Sequence, residues 1–188
     1  MTITDAPPVP AGTYPTPVRQ GDDEFVPLAA RIGAVAARHA ADHDRDATFV
    51  SEAYEAMRDG GYLALAVPTE LGGHGAGFRQ VCYAQAELAR HDGATALASA
   101  MHQYLTLLQA FRWRNGAPDA AGVLGRVAGD GIVLATSGGS DWLWPTTEAV
   151  PEDGPGPDGP EPGFRVTGRK AFCSQSPSAT VSATCAVV

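Results

Sequence analysis

Several residues of this chain have types and spacings that could do chemistry. His39 and His43 stand four apart, which puts two imidazoles on one helix face, with Asp42, Asp44 and Asp46 beside them. A metal site needs a further ligand at a workable spacing, and none follows, so this pair reads as a solvated helix end and no metal site is expected. Gly72, Gly73, Gly75 and Gly77 look like a loop that could cradle phosphate. The dinucleotide pattern Gly-x-Gly-x-x-Gly fails at Gln80, and no strand of the right kind precedes it. These glycines therefore read as a tight connection. Cys82 and Cys173 lack an evident activating partner and read as packing residues. Hydroxyls gather further along: Thr136 and Ser137 end an apolar run, Ser140 sits in Gly139-Ser140-Asp141, and Ser174 follows Phe172 by two. Taken alone, Ser140 is a turn residue, Phe172 is a core aromatic in a strand, and Ser174 pairs with a neighbouring strand.

Whether those residues meet depends on the elements that carry them. Residues 1 to 22 hold five prolines and few large apolar groups, which predicts a disordered tail. From 23 to 129 the periodicity is helical. Leu28, Ile32, Val35 and His39 make one stripe. A short helix is expected to begin at Ser51, read as its N-cap, and to end at Gly60-Gly61. Phe78, Val81, Cys82, Ala86 and Ala89 make another stripe. The clearest helix runs from about Ala94 to Arg112, with Ala94, Leu97, Ala98, Met101, Leu105, Leu108 and Phe111 as its core face. Pro118 can open a further helix carrying Val123, Leu124 and Val127.

After Gly129 the pattern changes. Ile132 to Ala135 is a short apolar run with the signal of a buried strand. Phe164 and Val166 alternate with polar residues. Lys170-Ala171-Phe172 and the run from Thr180 to Val188 also read as strands. Residues 151 to 163, rich in proline and glycine, read as a loop. The expectation is an α+β chain: a helical domain over 23–129, then an incomplete β-barrel over 130–188. Val181, Ala183, Cys185 and Val187 alternate up to the last residue, which predicts an open strand edge. A truncated product or one half of a split protein is expected.

Composition limits the functions. Hydrophobic residues make up 44% and charged residues 18%, as in ordinary globular proteins. Lysine plus arginine is 13 and aspartate plus glutamate 21, so the formal charge is 13 − 21 = −8. That balance argues against nucleic-acid binding, which needs clustered cations. Three cysteines without regular spacing do not make a disulfide framework, and a reducing cytoplasm is the simplest compartment. No secretory signal and no membrane-length apolar run is present in the sequence.

The order of motifs resembles the acyl-CoA dehydrogenase superfamily over roughly residues 25 to 188. Its carriers are the helix-rich region, Pro68-Thr69-Glu70-Leu71-Gly72-Gly73, the long helices, Gly139-Ser140-Asp141, and Gly168-Arg169-Lys170-Ala171-Phe172-Cys173-Ser174. The resemblance implies an N-terminal helical domain and the start of a middle β-barrel that holds FAD. It implies that Ser140 lies near the pyrophosphate and thioester, that Phe172 covers the isoalloxazine ring, and that the Ser174 hydroxyl bonds the flavin. Thr136 and Ser137 could add donors at a strand end. The family's catalytic glutamate lies in a C-terminal helical domain that this chain lacks, so no catalytic residue is assigned here.

Departures from the family pattern widen the functional choice. Thr136-Ser137-Gly138 stands where Thr-Glu-Pro is usual, Phe172 stands for the usual tryptophan, and Trp142 and Trp144 follow Asp141. The resemblance implies an FAD-dependent oxidoreductase acting on an acyl-CoA or a related small molecule. The same fold also serves flavin monooxygenases. A third reading is a non-catalytic remnant or interaction module. Its partner would be a separate chain supplying the C-terminal helical domain, and a homo-oligomer is expected.

Overall fold

The computed structural model describes residues 17–155 and 162–188, apart from the side chains of Ser140 and Pro155. Most of the expected tail, residues 1–16, and the centre of the Pro/Gly-rich stretch, 156–161, lie outside the described residues. Residues 17–25 form turns, and Asp22 is buried within them, accepting from the Arg19 backbone N–H at 2.9 Å.

Five helices make the first layer: α1 (Val26–Asp46), α2 (Ser51–Asp59), α3 (Phe78–His91), α4 (Gly93–Arg114) and α5 (Asp119–Asp130). Each has a local cause. Pro27 opens the first turn of α1, where its missing N–H costs nothing. The Asp92 carboxylate caps α4 by accepting from the Ala94 and Thr95 backbone N–H groups. Gly131 ends α5 in the left-handed conformation. α1 packs on α3 at Gly33, where a Cβ would lie 2.5 Å from the His91 ring. Only glycine allows that approach.

The apolar run from Tyr62 to Val67 is buried throughout as short 3-10 and turn backbone at the centre of the layer. Burying side chains such as Leu63 and Leu65 contributes about 1.5–3 kcal/mol each.

Several faces differ from the sequence expectation. Ser51 is the first residue of α2, and the cap position is Val50. In α1 the buried face is Ala29, Ile32, Gly33 and Ala36; of the expected stripe Ile32 is buried and Leu28 packs partly buried against the core. In α3 it includes Val81, Ala84 and Leu88, while Phe78 and Cys82 are exposed. The largest correction concerns α4. Its buried face is mostly polar: Thr95, Ser99, His102, Gln103 and Thr106. Leu97, Leu108 and Phe111 point to solvent.

The strands follow. β1 (Leu134–Thr136) pairs in parallel with β4 (Val181–Ala183), and β2 (Thr147–Pro155) pairs antiparallel with β3 (Pro162–Gly168). Neither two-stranded sheet closes, in keeping with an incomplete barrel. Between β1 and β2 lies the short helix α6 (Gly139–Leu143). In the stretch expected as a loop over 151–163, the described residues 151–155 and 162–163 are instead strand: Pro151 pairs with Phe164 and Pro155 with Pro162, across a bulge. A two-stranded ribbon has free edges, and proline is tolerated there because its missing donor faces away from the ladder. Lys170-Ala171-Phe172 is irregular rather than strand, and the run to Val188 is regular only at Val181–Ala183, with one bridge from Glu148 to Val187.

One histidine ties the two layers. His102 is fully buried on α4. Its Nε2–H donates to the Leu63 carbonyl at 2.8 Å, and Nδ1 accepts from the Leu134 N–H at 3.0 Å. That pairing requires neutral imidazole. Burial pushes its pKa down to about 4, partly opposed by the bond to the Leu63 carbonyl. The folded state therefore favours the neutral ring, and the unfolded chain takes up a proton first. Stability is intact above pH 6.5 and falls as pH drops towards 4, by on the order of 3 kcal/mol. Thermal melts between pH 7.5 and 4.5 should show this fall. His102→Gln should flatten it while lowering stability at neutral pH. An equal acid slope in both proteins would remove His102 as its cause.

Candidate functional site

The expected site residues lie on the segments after β1. Thr136 and Ser137, at the end of β1, are both buried. The Ser137 hydroxyl donates to Asp141 Oδ2 at 2.5 Å and lies 3.2 Å from the Thr184 hydroxyl. The Thr136 hydroxyl donates to the Ser137 carbonyl at 3.4 Å. Both hydroxyls are thus turned into the protein. Ser140 sits in the first turn of α6, and its side chain lies outside the described residues.

Asp141 organises this corner. Beside the Ser137 bond it accepts from Lys170 Nζ at 2.6 Å and from the Thr184 hydroxyl at 3.1 Å. The Lys170 ammonium, followed by the Ser137 hydroxyl, holds the Asp141 carboxyl well below the usual carboxylate range. Lys170 also donates to the Cys185 carbonyl at 2.5 Å. One charged pair therefore joins α6, the segment after β3 and the end of the chain. Charge-assisted bonds of this kind are short and fix geometry as well as adding energy.

That clamp sets the start of the segment carrying Phe172 and Ser174. Phe172 is 84% exposed and has φ 55°, in the left-handed region. A non-glycine residue there costs about 1–3 kcal/mol and persists only where its surroundings hold it. The holding contacts are visible. The Ala171 carbonyl accepts from the Gly138 N–H at 3.2 Å, and a Cβ on Gly138 would lie 3.1 Å from the Phe172 Cβ. The ring consequently stands beside the end of β1 with its surface free. Ser174 is half-buried, and its hydroxyl makes no hydrogen bond among the described residues. Gln175, buried at φ 61°, anchors the segment from the other side: it accepts from the Tyr54 hydroxyl at 2.6 Å and donates to the Leu134 carbonyl at 2.7 Å.

The structure thus brings Gly138, Phe172 and the Asp141 corner together. A cleft of about 320 Å³ opens beside them, lined by Asp141, Trp144, Thr146, Arg169 and Ala171. Of these, Trp144 is exposed, as is Trp142 two residues before it. Sequence reasoning quoted Asp141 and Lys170 in motifs but gave them no role. Their pairing across 29 residues has no local signature. Gln175 and His102 were missed for the same reason.

Other candidates resolve differently. His43 bonds Glu52 at 2.8 Å and Thr48 at 2.7 Å. Among the described residues no group of three or more His, Cys, Asp or Glu is placed to hold a metal ion, and no helix is long and apolar enough to cross a membrane. Gly77 precedes α3, and its N–H donates to the Gln80 side chain at 2.8 Å.

Comparison with known proteins bears on the family and the fold. Residues 29–113 match the acyl-CoA dehydrogenase N-terminal domain. Amino sugar nitrososynthase DnmZ of Streptomyces peucetius is 33% identical over 143 residues, covering 74% of this chain and 33% of the relative. Probable acyl-CoA dehydrogenase fadE25 of Mycobacterium leprae is 38% identical over 89 residues, 45% of this chain and 23% of the relative. The nitrososynthase structure from Micromonospora carbonacea var. africana superposes with a TM-score of 0.70 at 28% identity, over 88% of this chain and 41% of that one. TdsC of Paenibacillus sp. A11-2, solved with FMN and indole, shares the fold at a TM-score of 0.61 and 23% identity, over 83% of this chain and 36% of that one. The chain spans about a third of the length of the curated relatives it matches first. Through its helical layer and the strands that follow it, the chain belongs to the acyl-CoA dehydrogenase superfamily.

Proposed function

We propose that this chain is the flavin-binding front part of an oxidoreductase, and that its chemistry is monooxygenation of a small molecule rather than desaturation of an acyl thioester. The observation that carries the flavin reading is Phe172: an exposed aromatic ring, held in a strained backbone beside Gly138. An isoalloxazine is a broad apolar plane with polar edges and calls for one aromatic wall and a few donors. Phe172 fits the wall, and the uncommitted Ser174 hydroxyl fits an edge donor. Ser140 belongs to the same group of cofactor-facing residues through its place in α6. Thr136 and Ser137 contribute by shape and backbone, since their hydroxyls are used internally. The expected form is FAD.

The bound flavin supplies the redox chemistry. The residues of this chain bind and orient it. Lys170 and Asp141 are positioning residues, keeping α6 and the Phe172 segment in register. The preference for monooxygenation rests on two points. The nitrososynthase match reaches 33% identity over 143 residues, against 29% over 163 residues for the putative acyl-CoA dehydrogenase YdbM, and the fadE25 match at 38% covers 89 residues. Trp144 also lines the cleft beside Asp141, where a smaller side chain would leave more room for a thioester arm. An amino sugar is the substrate type that the DnmZ name offers for a first assay.

Flavin binding and turnover test this reading. Equilibrium titration of the chain with FAD and with FMN, followed by flavin fluorescence, should show binding. Phe172→Ala should weaken it by about tenfold, the order expected for a lost aromatic contact of about 1–1.5 kcal/mol. Unchanged affinity would take Phe172 out of the site. Lys170→Met should weaken flavin binding and lower the melting temperature together, because it leaves Asp141 charged without its partner. A Lys170→Met protein that melts and binds flavin as the parent does would dismiss the clamp. For the reaction, anaerobic bleaching of bound flavin by an acyl-CoA would restore the dehydrogenase reading. Oxygen-dependent turnover of an amino sugar with a supplied flavin reductase is the expected result.

A further inference from the structure

Between Ala171 and Thr180 a single residue is buried, and it is polar: Gln175, only 3% exposed. The rest of the stretch, Phe172 and Ser174 included, is exposed or half-buried. A segment with one inward side chain takes its position from that side chain. An apolar residue would fill the space and leave a range of packings open. An amide that is bonded at both ends has one placement, because hydrogen bonds weaken steeply when misaligned.

Both ends of the Gln175 amide are bonded. Nε2 donates to the Leu134 carbonyl at 2.7 Å, and Oε1 accepts from the Tyr54 hydroxyl of α2 at 2.6 Å. A backbone carbonyl only accepts, so the amide cannot flip. Burial pushes the Tyr54 pKa up, against a smaller opposing effect of Arg58, so the hydroxyl keeps its proton and stays a donor. Tyr54 is itself fixed. It is fully buried in the helical core, and its ring centre lies 5.0 Å from that of Phe49. The helical layer therefore presents a stationary donor to a group 121 residues further on. At Gln175 the main chain is held as well, since its carbonyl accepts from the Ser178 N–H at 2.9 Å.

We propose that Tyr54 is a positioning residue for the cofactor site: through the Gln175 amide it sets where Phe172 and Ser174 stand, and so couples cofactor affinity to α2. The coupling to cofactor rests on the flavin reading given under Proposed function; the positioning of the segment does not. Coupling of this kind is reciprocal. A flavin that contacts Phe172 and Ser174 steadies the Tyr54–Gln175 bond as much as that bond favours the flavin. Tyr62 supplies a matched control. It too is fully buried, and its hydroxyl donates to a glutamine oxygen, Gln85 Oε1, at the same 2.6 Å, but that pair lies within the helical layer.

The test compares Tyr54→Phe with Tyr62→Phe, each of which removes one hydroxyl. Amide hydrogen exchange over residues 170–178, followed by mass spectrometry without flavin, should quicken about fivefold in Tyr54→Phe, as for loss of one hydrogen bond, and keep the parent's rate in Tyr62→Phe. Titration with FAD should show affinity weakened about fivefold by Tyr54→Phe and unchanged by Tyr62→Phe. In a double-mutant cycle with Ser174→Ala the two losses of affinity should be less than additive, because the placement of a hydroxyl ceases to matter once the hydroxyl is gone. Gln175→Leu, which keeps the bulk and drops both bonds, should give larger changes of the same kind and serves where Tyr54→Phe does not fold. Unchanged exchange in Tyr54→Phe overturns the positioning role, whatever the flavin does. Quickened exchange with unchanged FAD affinity, or an equal loss of affinity in Tyr62→Phe, overturns the coupling to the cofactor. A parent that binds no flavin takes down the flavin reading and that coupling with it, while the exchange rates still decide whether Tyr54 positions the segment.

Discussion

Both backbone groups of Leu134 are held by side chains, and the link between helices and strands depends on that. β4 pairs along one side of β1, where the Val133 carbonyl accepts from the N–H groups of Thr180 and Val181. The Leu134 N–H and C=O face the other way, and among the described residues no strand is there to receive them. His102 takes the N–H, and the Gln175 amide takes the carbonyl. An unpaired backbone group in the interior is among the more costly defects a fold can carry. Two side chains remove two such defects and in doing so fix where β1 sits on the helical layer. His102 reaches on to Leu63, and Gln175 reaches on to Tyr54 on α2. The strand is therefore tied to three helical-layer elements through polar bonds whose geometry is narrow.

This anchoring explains how an exposed and strained segment can be ordered. Phe172 lies between Lys170, which is bound to Asp141, and Gln175, which is bound to Leu134. Both ends of a six-residue segment are thus pinned to buried partners. Left-handed backbone at Phe172 and Gln175 is the geometric result. Such strain stays only where the surroundings over-determine the chain. Here the determining contacts are charge-assisted or buried, and the projecting ring is what they leave outside.

The sequence made much of the architecture legible, and the reasons for the misses are physical. Capping by Asp92, glycine termination and the apolar run at 62–67 mark local events, so the helices and the change of pattern near residue 130 could be read. Helix faces could not. The rule that the apolar stripe faces the core misassigns α4, because its core side holds His102, Gln103 and Thr106 for bonding to backbone of the next layer. Of the expected stripe Leu105 is buried, whereas Leu97, Leu108 and Phe111 lie on the solvent side. Proline content likewise hid the second half of β2, while the alternation at Phe164 and Val166 marked β3; a two-stranded ribbon has no interior strand in which proline would be excluded. At the candidate site, Phe172 and Ser174 were legible only through a motif. The Lys170–Asp141 pair and the Gln175 anchor were not legible, because each joins residues far apart in sequence.

The polar inner face of α4 and its apolar outer face belong to one solution. A short strand pinned through its backbone needs side-chain donors and acceptors from the helix beneath it, and a helix turn has few places for them. Once His102 and Gln103 occupy those places, the helix's apolar residues fall on the remaining arc. α3 covers part of that arc and leaves Leu97, Tyr104, Leu108 and Phe111 in solvent. Gln103 marks the boundary between the two faces. Its amide N–H serves the inner face at the Tyr62 carbonyl, and its oxygen is left with nothing to accept from. The constraint that joins helix to strand thus also produces the apolar face that the described residues leave uncovered.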